Sequence, residues 1–290
     1  MTQLIQSLSD ISGRYDALFV DLWGCVHNGV KAYPAACEAL VAYRKRGGKV
    51  VLVTNSPRPR AQVAIQIEAF GVPEDAFDDI ATSGDSARAA MFEGVVGEKV
   101  WHIGIPEEAA FFEPLKLLDA PAAIERVDLE QAEGIVCTGP FDPTADPEEM
   151  RPQFLLARER GLKLLCANPD VVVDRGDHRE WCAGALAQLY TDMGGESLYF
   201  GKPHPPIYDL ARRRLARIAQ ISDESILCIG DGIHTDIAGG MGEGLDTLFI
   251  TGGLAAAEFG PDVNAPDPTL LNAWLADQQM NATAAISFLR

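Results

Sequence analysis

The sequence has few basic residues, and this deficit excludes two classes of partner. It contains 24 Lys and Arg residues against 42 Asp and Glu residues, which gives a formal net charge of −18. Such an acidic chain repels the phosphates of nucleic acids and of anionic lipid headgroups. We therefore expect neither nucleic acid nor a membrane surface among its partners. A site for a small phosphorylated molecule would need a cation or a local basic group.

Long hydrophobic runs and paired cysteines are also missing. No stretch approaches the roughly 18 consecutive apolar residues of a membrane-spanning helix, and the first residues lack the pattern of a secretory signal peptide. The six cysteines form no C-x-x-C pair, and the five histidines do not stand at zinc-ligand spacing from them. These absences predict reduced thiols, a cytoplasmic location and no zinc site.

What is present is an alternation of short apolar runs and amphipathic segments. Residues 17–20 and 49–53 are typical of buried strands, and each is followed by a segment with helical periodicity. This alternation predicts an α/β fold with a parallel sheet and right-handed crossovers. Because no linker separates two halves, a second domain would have to be inserted into the first. Further strands are predicted at 99–103, 134–138, 162–166, 198–200, 225–229 and 245–250, and helices at 35–46, 60–70, 109–118, 148–160, 181–193, 207–219 and 269–276.

Polar residues follow several of the predicted strands. In an open α/β sheet, ligands bind beyond the carboxyl ends of the strands. Carboxylates can hold Mg²⁺, a lysine with hydroxyl and amide groups can hold phosphoryl oxygens, and a carboxylate can attack phosphorus. Any one of these clusters would more often be a cap or a turn, but the ordered set is far more specific. Its members are Asp21, then Thr54, Asn55 and Ser56, then Lys202, then Asp231 and Asp236.

The same segments resemble the four motifs of the haloacid dehalogenase superfamily. They are Asp21-Leu22-Trp23-Gly24, Val53-Thr54-Asn55-Ser56, Gly201-Lys202-Pro203 and Gly230-Asp231-Gly232-Ile233-His234-Thr235-Asp236-Ile237. Their details resemble the class II, subclass A hydrolases, which include phosphatases of nitrophenyl phosphate, nucleotides and sugar phosphates. The segment Asn168-Pro169-Asp170 is similar to part of the cap domain in that branch.

The resemblance implies a domain organisation. It implies a Rossmann-like, parallel-sheet core over residues 1–84 and 197–290, with an α/β cap over residues 85–196 inserted into it. It also implies a Mg²⁺-dependent phosphatase that removes phosphate from a small phosphorylated metabolite through an aspartyl-phosphate. Caps of this type often help to form dimers in the family, so a homodimer is a further expectation.

The resemblance also implies roles for individual residues. Asp21 would be the nucleophile, and Mg²⁺ would be held by Asp21, the backbone carbonyl of Trp23 and Asp231, with Asp236 as an outer ligand or orienting group. Lys202 would stabilise charge on Asp21 and on the transferring phosphoryl group. The remaining site residues would bind substrate, namely Thr54, Asn55, Ser56 and Asn168.

The sequence departs from the family pattern at Trp23. Phosphatases of the superfamily usually have aspartate there, which protonates the leaving group and later activates water. General acid–base help typically contributes about 10²- to 10⁴-fold to a rate. Three interpretations remain open: a slower phosphatase that uses another acid or acts on esters with good leaving groups, a dehalogenase-like hydrolase, and a weakly catalytic protein that binds a phosphorylated ligand. For the first of these, His27 is the nearest candidate acid, and the alternative for His27 is an exposed loop residue.

Overall fold

The computed structural model describes residues 2–113, 121–175 and 178–290. These residues form two compact units, and each is built on its own parallel sheet. The limits predicted from the sequence, a core over residues 1–84 and 197–290 and a cap over residues 85–196, stay a prediction. The first unit comprises Met1–Thr54, Ala64–Ala81 and Tyr208–Arg290, and the second comprises Asn55–Val63 and Thr82–Ile207.

Strands and helices alternate along most of the chain. The strands are β1 (Gln3–Leu4), β2 (Ala17–Val20), β3 (Lys49–Thr54), β4 (Asp79–Thr82), β5 (Lys99–Ile103), β6 (Glu125–Arg126), β7 (Gly134–Cys137), β8 (Lys163–Cys166), β9 (Val172–Arg175), β10 (His178–Trp181), β11 (Glu196–Tyr199), β12 (Ile226–Gly230), β13 (Asp246–Ile250) and β14 (Ala284–Ile286). The helices are α1 (Pro34–Lys45), α2 (Arg60–Ala69), α3 (Ser83–Phe92), α4 (Arg151–Glu159), α5 (Ala183–Asp192), α6 (Pro205–Ala216), α7 (Ala238–Gly242) and α8 (Pro268–Asp277).

The sheet of the first unit has the strand order β1-β14-β13-β12-β2-β3-β4. Its central strands β2 and β12 are buried along their whole length, as expected of parallel strands covered on both faces. From β2 the chain moves outward to β3 and β4, and from β12 it moves the opposite way to β13 and β14. The neighbouring ends of β2 and β12 therefore form the topological switch point of this sheet, where open α/β sheets bind ligands.

The sheet of the second unit has the order β11-β8-β7-β5-β6, and its strands are all parallel. The register places Tyr199, Cys166, Cys137 and Ile103 in one row across four of these strands. Strands β9 and β10 form a separate antiparallel hairpin. Apolar clusters cover the faces of the sheet, with α3 on one side and α4 and α5 on the other.

The α/β class and the parallel sheet predicted from the sequence are confirmed. The predicted helix at 109–118 falls partly outside the described residues; the described portion is a short 3-10 turn, Pro106–Phe112. None of the helices in the described part of the chain has the length and apolar character needed to cross a bilayer.

Candidate active site

The predicted nucleophile lies at the switch point of the first sheet. Asp21 directly follows β2, and Asp231 directly follows the neighbouring strand β12. The Asp21 N–H donates a hydrogen bond of 2.8 Å to the Ile229 carbonyl, which extends the ladder between the two strands by one residue. The backbone of the sheet thus brings together two aspartates that are far apart in the chain.

The two carboxylates form a buried cluster with the thiol of Cys25. One ligand atom from each of the three side chains lies within 4.8 Å of the other two. Asp21 is 8% exposed, Asp231 is 5% exposed and Cys25 is 1% exposed. Because two carboxylates this close repel each other, their oxygen atoms fit a hard divalent cation, whereas the thiol is not a ligand that such a cation prefers. The sequence patterns predicted a reduced thiol at Cys25 but did not indicate its place beside the two aspartates.

Glycines hold the Asp231 carboxylate in a narrow space. A Cβ atom at Gly24 or at Gly253 would overlap this carboxylate, and Gly24 also has a φ of +78° that favours glycine. The Leu254 N–H donates a hydrogen bond of 3.1 Å to Asp231 Oδ2. The loop after β13 therefore fixes Asp231 from one side and the turn after Asp21 fixes it from the other.

Asp236 orients the loop after β12. It lies in a π-helical turn, Ile233–Ile237, and its Oδ2 accepts a hydrogen bond of 3.1 Å from the Gly232 N–H. A Cβ at Gly230 would overlap its carboxylate. Asp236 does not belong to the three-residue cluster found among the described residues. Its contacts fit the orienting role better than a direct place in that cluster.

Trp23 and His27 pack together in the turn after Asp21. Their ring centroids lie 5.4 Å apart, and His27 also contacts Phe70 at 5.1 Å, edge to face in both cases. The expectation of an exposed loop histidine is wrong, since His27 is 3% exposed. Its Nδ1 accepts a 3.0 Å hydrogen bond from the Gly29 N–H, and burial lowers its pKa to about 4. A neutral, enclosed imidazole is a poor substitute for the missing acid.

Asn55 and Lys202 are bound to each other in the second unit. The Lys202 N–H donates to Asn55 Oδ1 at 2.7 Å, and Asn55 Nδ2 donates to the Lys202 carbonyl at 3.1 Å. Asn55 Nδ2 also donates to Asp170 Oδ1 at 2.8 Å. Both Asn55 and Lys202 are 3% exposed. The Asn55 amide therefore acts as a positioning group that fixes the backbone from which the lysine side chain projects.

The other predicted substrate residues of this unit shape loops. Asn168 Oδ1 accepts a hydrogen bond of 3.0 Å from the Asp170 N–H, so its amide caps the turn that follows β8. The Ser56 carbonyl accepts a 3.0 Å bond from the Gly84 N–H at the start of α3. Asp170 joins this network through Asn55, and it belongs to the segment Asn168-Pro169-Asp170 whose sequence is similar to part of the cap domain.

The structure thus gives two groups of predicted site residues. Asp21, Trp23, Thr54, Asp231 and Asp236 belong to the first unit, with Thr54 buried at the end of β3. The second unit contains Asn55, Ser56, Asn168 and Lys202. The convergence of all these residues on one ligand stays a prediction.

Known proteins similar to this chain place these features in a family. The family described as Haloacid dehalogenase-like hydrolase matches residues 18–117, and a second family, HAD-hydrolase-like, matches residues 199–275. A crystal structure of a haloacid dehalogenase-like hydrolase from Brucella suis 1330 is 40% identical, with a TM-score of 0.85 and coverage of 99% of this chain and 100% of that one. The chain belongs to the haloacid dehalogenase-like hydrolase family.

Two further relatives extend the comparison. The 5'-nucleotidase YutF of Bacillus subtilis (strain 168) is 25% identical over 84% of this chain and 90% of its own length. A glycerol phosphate phosphatase from Mycobacterium tuberculosis, solved in complex with magnesium, is 23% identical with a TM-score of 0.63, covering 87% of this chain and 72% of that one. The similarity to the glycerol phosphate phosphatase shows only that the two chains share a fold. The family, the fold class and the hydrolase assignment predicted from the sequence are confirmed.

Proposed function

We propose that this hydrolase is a phosphatase that removes phosphate from a small phosphorylated metabolite, with Mg²⁺ as its cofactor. The observation that carries the proposal is the buried Asp21–Asp231 pair at the switch point of the first sheet. Phosphoryl transfer needs mainly a positioned nucleophile and local neutralisation of charge. The names of the relatives, a nucleotidase and a glycerol phosphate phosphatase bound to magnesium, support the same chemistry.

In this proposal Asp21 attacks the phosphorus atom. A carboxylate oxygen of Asp21 forms a bond to phosphorus while the bond from phosphorus to the leaving oxygen breaks, which gives an aspartyl-phosphate. Water then hydrolyses this acyl phosphate and restores the Asp21 carboxylate. Without a carboxylate at position 23, the leaving oxygen takes its proton from solvent, so esters with good leaving groups should react fastest.

The proposed metal ligands are Asp21, the backbone carbonyl of Trp23 and Asp231, with Asp236 as the outer group that orients them. Bound there, Mg²⁺ would offset the repulsion between the carboxylates and neutralise charge on the phosphoryl oxygens. Asp231 is already held by the Leu254 N–H and enclosed by glycines, so little reorganisation would accompany binding.

The proposed phosphate-binding residues are Thr54, Asn55, Ser56 and Lys202, and Asn168 is proposed to contact substrate. Thr54 offers a hydroxyl at the end of β3, and Lys202 offers a buried positive charge in a chain with a net charge of −18. Asn55 acts mainly through the lysine backbone, as its two hydrogen bonds to Lys202 indicate. A homodimer and a cytoplasmic location are further predictions from the sequence.

The decisive experiment measures phosphate release from p-nitrophenyl phosphate with Mg²⁺ and after chelation by EDTA. We expect Mg²⁺-dependent turnover that Asp21→Asn abolishes while the protein stays folded. Thermal melting gives a readout independent of turnover, because a ligand that binds only the folded state raises the melting temperature. Mg²⁺-dependent stabilisation without hydrolysis of any phosphate ester would favour a weakly catalytic binding protein. The observation that favours this alternative is Trp23, which stands where the family usually has its acidic aspartate. Halide release without Mg²⁺ would instead indicate a dehalogenase.

A further inference from the structure

The second sheet has a topological switch point of its own. From β5 the chain passes to β6 at one edge of the sheet, whereas β7 leads to β8 and β11 on the other side. The carboxyl ends of β5 and β7 are therefore neighbours whose connections leave in opposite directions. Open α/β sheets bind ligands beyond the carboxyl ends of neighbouring strands whose connections leave in opposite directions, as at Asp21 and Asp231 in the first sheet. We therefore expect the second sheet to bind a ligand beyond the ends of β5 and β7.

A hydrogen-bonded chain of three side chains occupies that position. His102 is the last but one residue of strand β5, Thr138 directly follows β7, and Glu108 lies in the 3-10 turn after β5. His102 Nε2 lies 2.8 Å from Thr138 Oγ1, and Thr138 Oγ1 also contacts Glu108 Oε2. A Cβ at Gly104 would lie only 2.6 Å from His102 Nε2 and 2.7 Å from Glu108 Oε2, so glycine leaves room for the cluster.

The chemistry of the three groups fixes the direction of the chain. The Thr138 hydroxyl has two acceptors within reach, the Ile103 carbonyl at 3.3 Å and the much closer Glu108 carboxylate, which only accepts hydrogen bonds, so its single proton goes to Glu108. The Thr138 oxygen then accepts the Nε2–H of His102. Burial lowers the pKa of His102 to about 4, with a smaller effect of Arg126, so the ring is neutral at pH 7. The nearby guanidinium of Arg126 is exposed and screened by water. The cluster thus presents a carboxylate and acceptor atoms.

The cluster lies on the same sheet edge as the proposed phosphate-binding lysine. Tyr199, Cys166, Cys137 and Ile103 form one row, and Lys202 follows this row at the end of β11. Because neighbouring strands lie about 4.8 Å apart, the end of β7 is roughly 10 Å from the end of β11 and the end of β5 is roughly 14 Å away. Both distances join strand ends, and the reach of the Lys202 side chain beyond its strand brings them into the range of a small metabolite.

We propose that the His102–Thr138–Glu108 cluster binds the end of the substrate farthest from the phosphate, and that this end carries hydroxyl or amino groups. Such donors can add hydrogen bonds to the Glu108 carboxylate, whereas a second carboxylate or phosphate would be repelled by its charge. The inference rests on the proposed phosphatase function and adds a substrate class to it. Polyol, sugar and amino-alcohol phosphates fit this class, and dianionic metabolites such as phosphorylated carboxylic acids do not.

Three synthetic esters of equal chain length test the proposal: 6-aminohexyl phosphate, 6-hydroxyhexyl phosphate and 6-phosphooxyhexanoate. For the wild-type protein we expect kcat/KM to be at least about tenfold higher for the amino and hydroxyl esters, because each can form a hydrogen bond to the charged carboxylate that the third ester cannot. Glu108→Gln removes the repelling charge, so the carboxylate ester should then approach the hydroxyl ester to within about threefold.

The matched control is Glu133→Gln. Glu133 is a glutamate at the opposite edge of the same sheet, where its carboxylate accepts from the Glu98 and Lys99 N–H groups. This variant makes the same charge change and should keep the wild-type ratio. If Glu108 only ties its turn to the sheet, Glu108→Gln would lower all three rates together and leave the ratio unchanged, which would overturn the proposal.

Turnover of p-nitrophenyl phosphate, whose nitro group neither donates a hydrogen bond nor carries a net charge, distinguishes failure of the phosphatase function from failure of the subsite. No turnover by the wild-type protein contradicts the phosphatase function itself. Turnover with equal kcat/KM for the three hexyl esters contradicts only the proposed subsite. Should Glu108→Gln fail to fold, Gly104→Ala crowds the same polar atoms without changing charge. It should lower kcat/KM for the amino ester at least about fivefold relative to p-nitrophenyl phosphate, and an unchanged ratio would refute the subsite.

Discussion

Replacing Trp23 by aspartate tests whether a missing proton donor limits the proposed reaction. The indole is partly buried, contacts the His27 ring and leaves no space for a side chain at Gly29. Removing it should lower the free energy of unfolding by about 1–3 kcal/mol, because apolar contact area is lost without full collapse of the gap. The substitution is therefore expected to destabilise the fold even where it improves the chemistry.

The gain in rate should depend on the leaving group. General acid catalysis is worth about 10²- to 10⁴-fold when geometry is good, and a newly introduced carboxylate should recover at least about tenfold. We expect this increase in kcat for phenyl phosphate, because phenoxide is a poor leaving group that benefits from a proton. The increase should be smaller for p-nitrophenyl phosphate, whose nitrophenolate leaves readily as an anion.

Trp23→Asn is the matched control, since it loses the same indole contacts and has nearly the same shape as aspartate but cannot donate a carboxyl proton. Circular dichroism and melting temperature would show that both variants are folded under the conditions of the assay. Equal rates for the two folded variants on phenyl phosphate would refute the reasoning. The rate would then be limited by something other than the absent carboxylate.

Three shorter predictions address positioning and charge. Gly253→Ala should displace the Asp231 carboxylate and weaken Mg²⁺ binding by calorimetry at least about tenfold, while Gly242→Ala, with nothing within 4 Å of its Cβ, should bind Mg²⁺ as before. Asn55→Ala loses two buried hydrogen bonds and one partly buried one and should cost about 2–4 kcal/mol in urea unfolding; a change below about 1 kcal/mol would contradict its positioning role. The pKa of His102 falls from 6.5 to about 4 on folding, so the unfolded chain binds the extra proton between these values and stability drops as pH falls from 6.5 to 4. His102→Gln should reduce that drop by up to about 3 kcal/mol, and an unchanged drop in urea unfolding would refute it.

Sequence patterns predicted the central strands well because each is an uninterrupted apolar run. Ala17–Val20 is observed as predicted, and the strand predicted at 49–53 extends by one residue to Thr54. The helix α3 was missed because its first residues, Ser83, Gly84 and Asp85, read locally as a loop. Tertiary packing explains that composition, since a Cβ at Gly84 would overlap the Pro57 carbonyl.

The positions of the candidate site residues could be predicted where a motif follows a strand. They could not be predicted where they depend on packing against residues far away in the sequence. Asp21 and Asp231 could be placed at one sheet edge from the order of the strands. The enclosure of His27 depends on Phe70, which is more than forty positions away in the sequence, so no local pattern indicates it. The same holds for Cys25, whose place beside both aspartates follows from the turn geometry at Gly24 and not from its apolar neighbours.

The two switch points differ in charge balance, and this difference separates their proposed roles. In the first sheet two buried carboxylates each have an oxygen atom within 4.8 Å of an oxygen of the other, so their mutual repulsion favours a cation. In the second sheet a single carboxylate accepts from Thr138, whose oxygen accepts from a neutral His102, so its charge is already partly stabilised. A single carboxylate of this kind has little need of a metal, and its charge would still disfavour anions. The same topological rule is therefore consistent with both proposals, a metal-assisted reaction centre in the first sheet and a donor-selective binding site in the second.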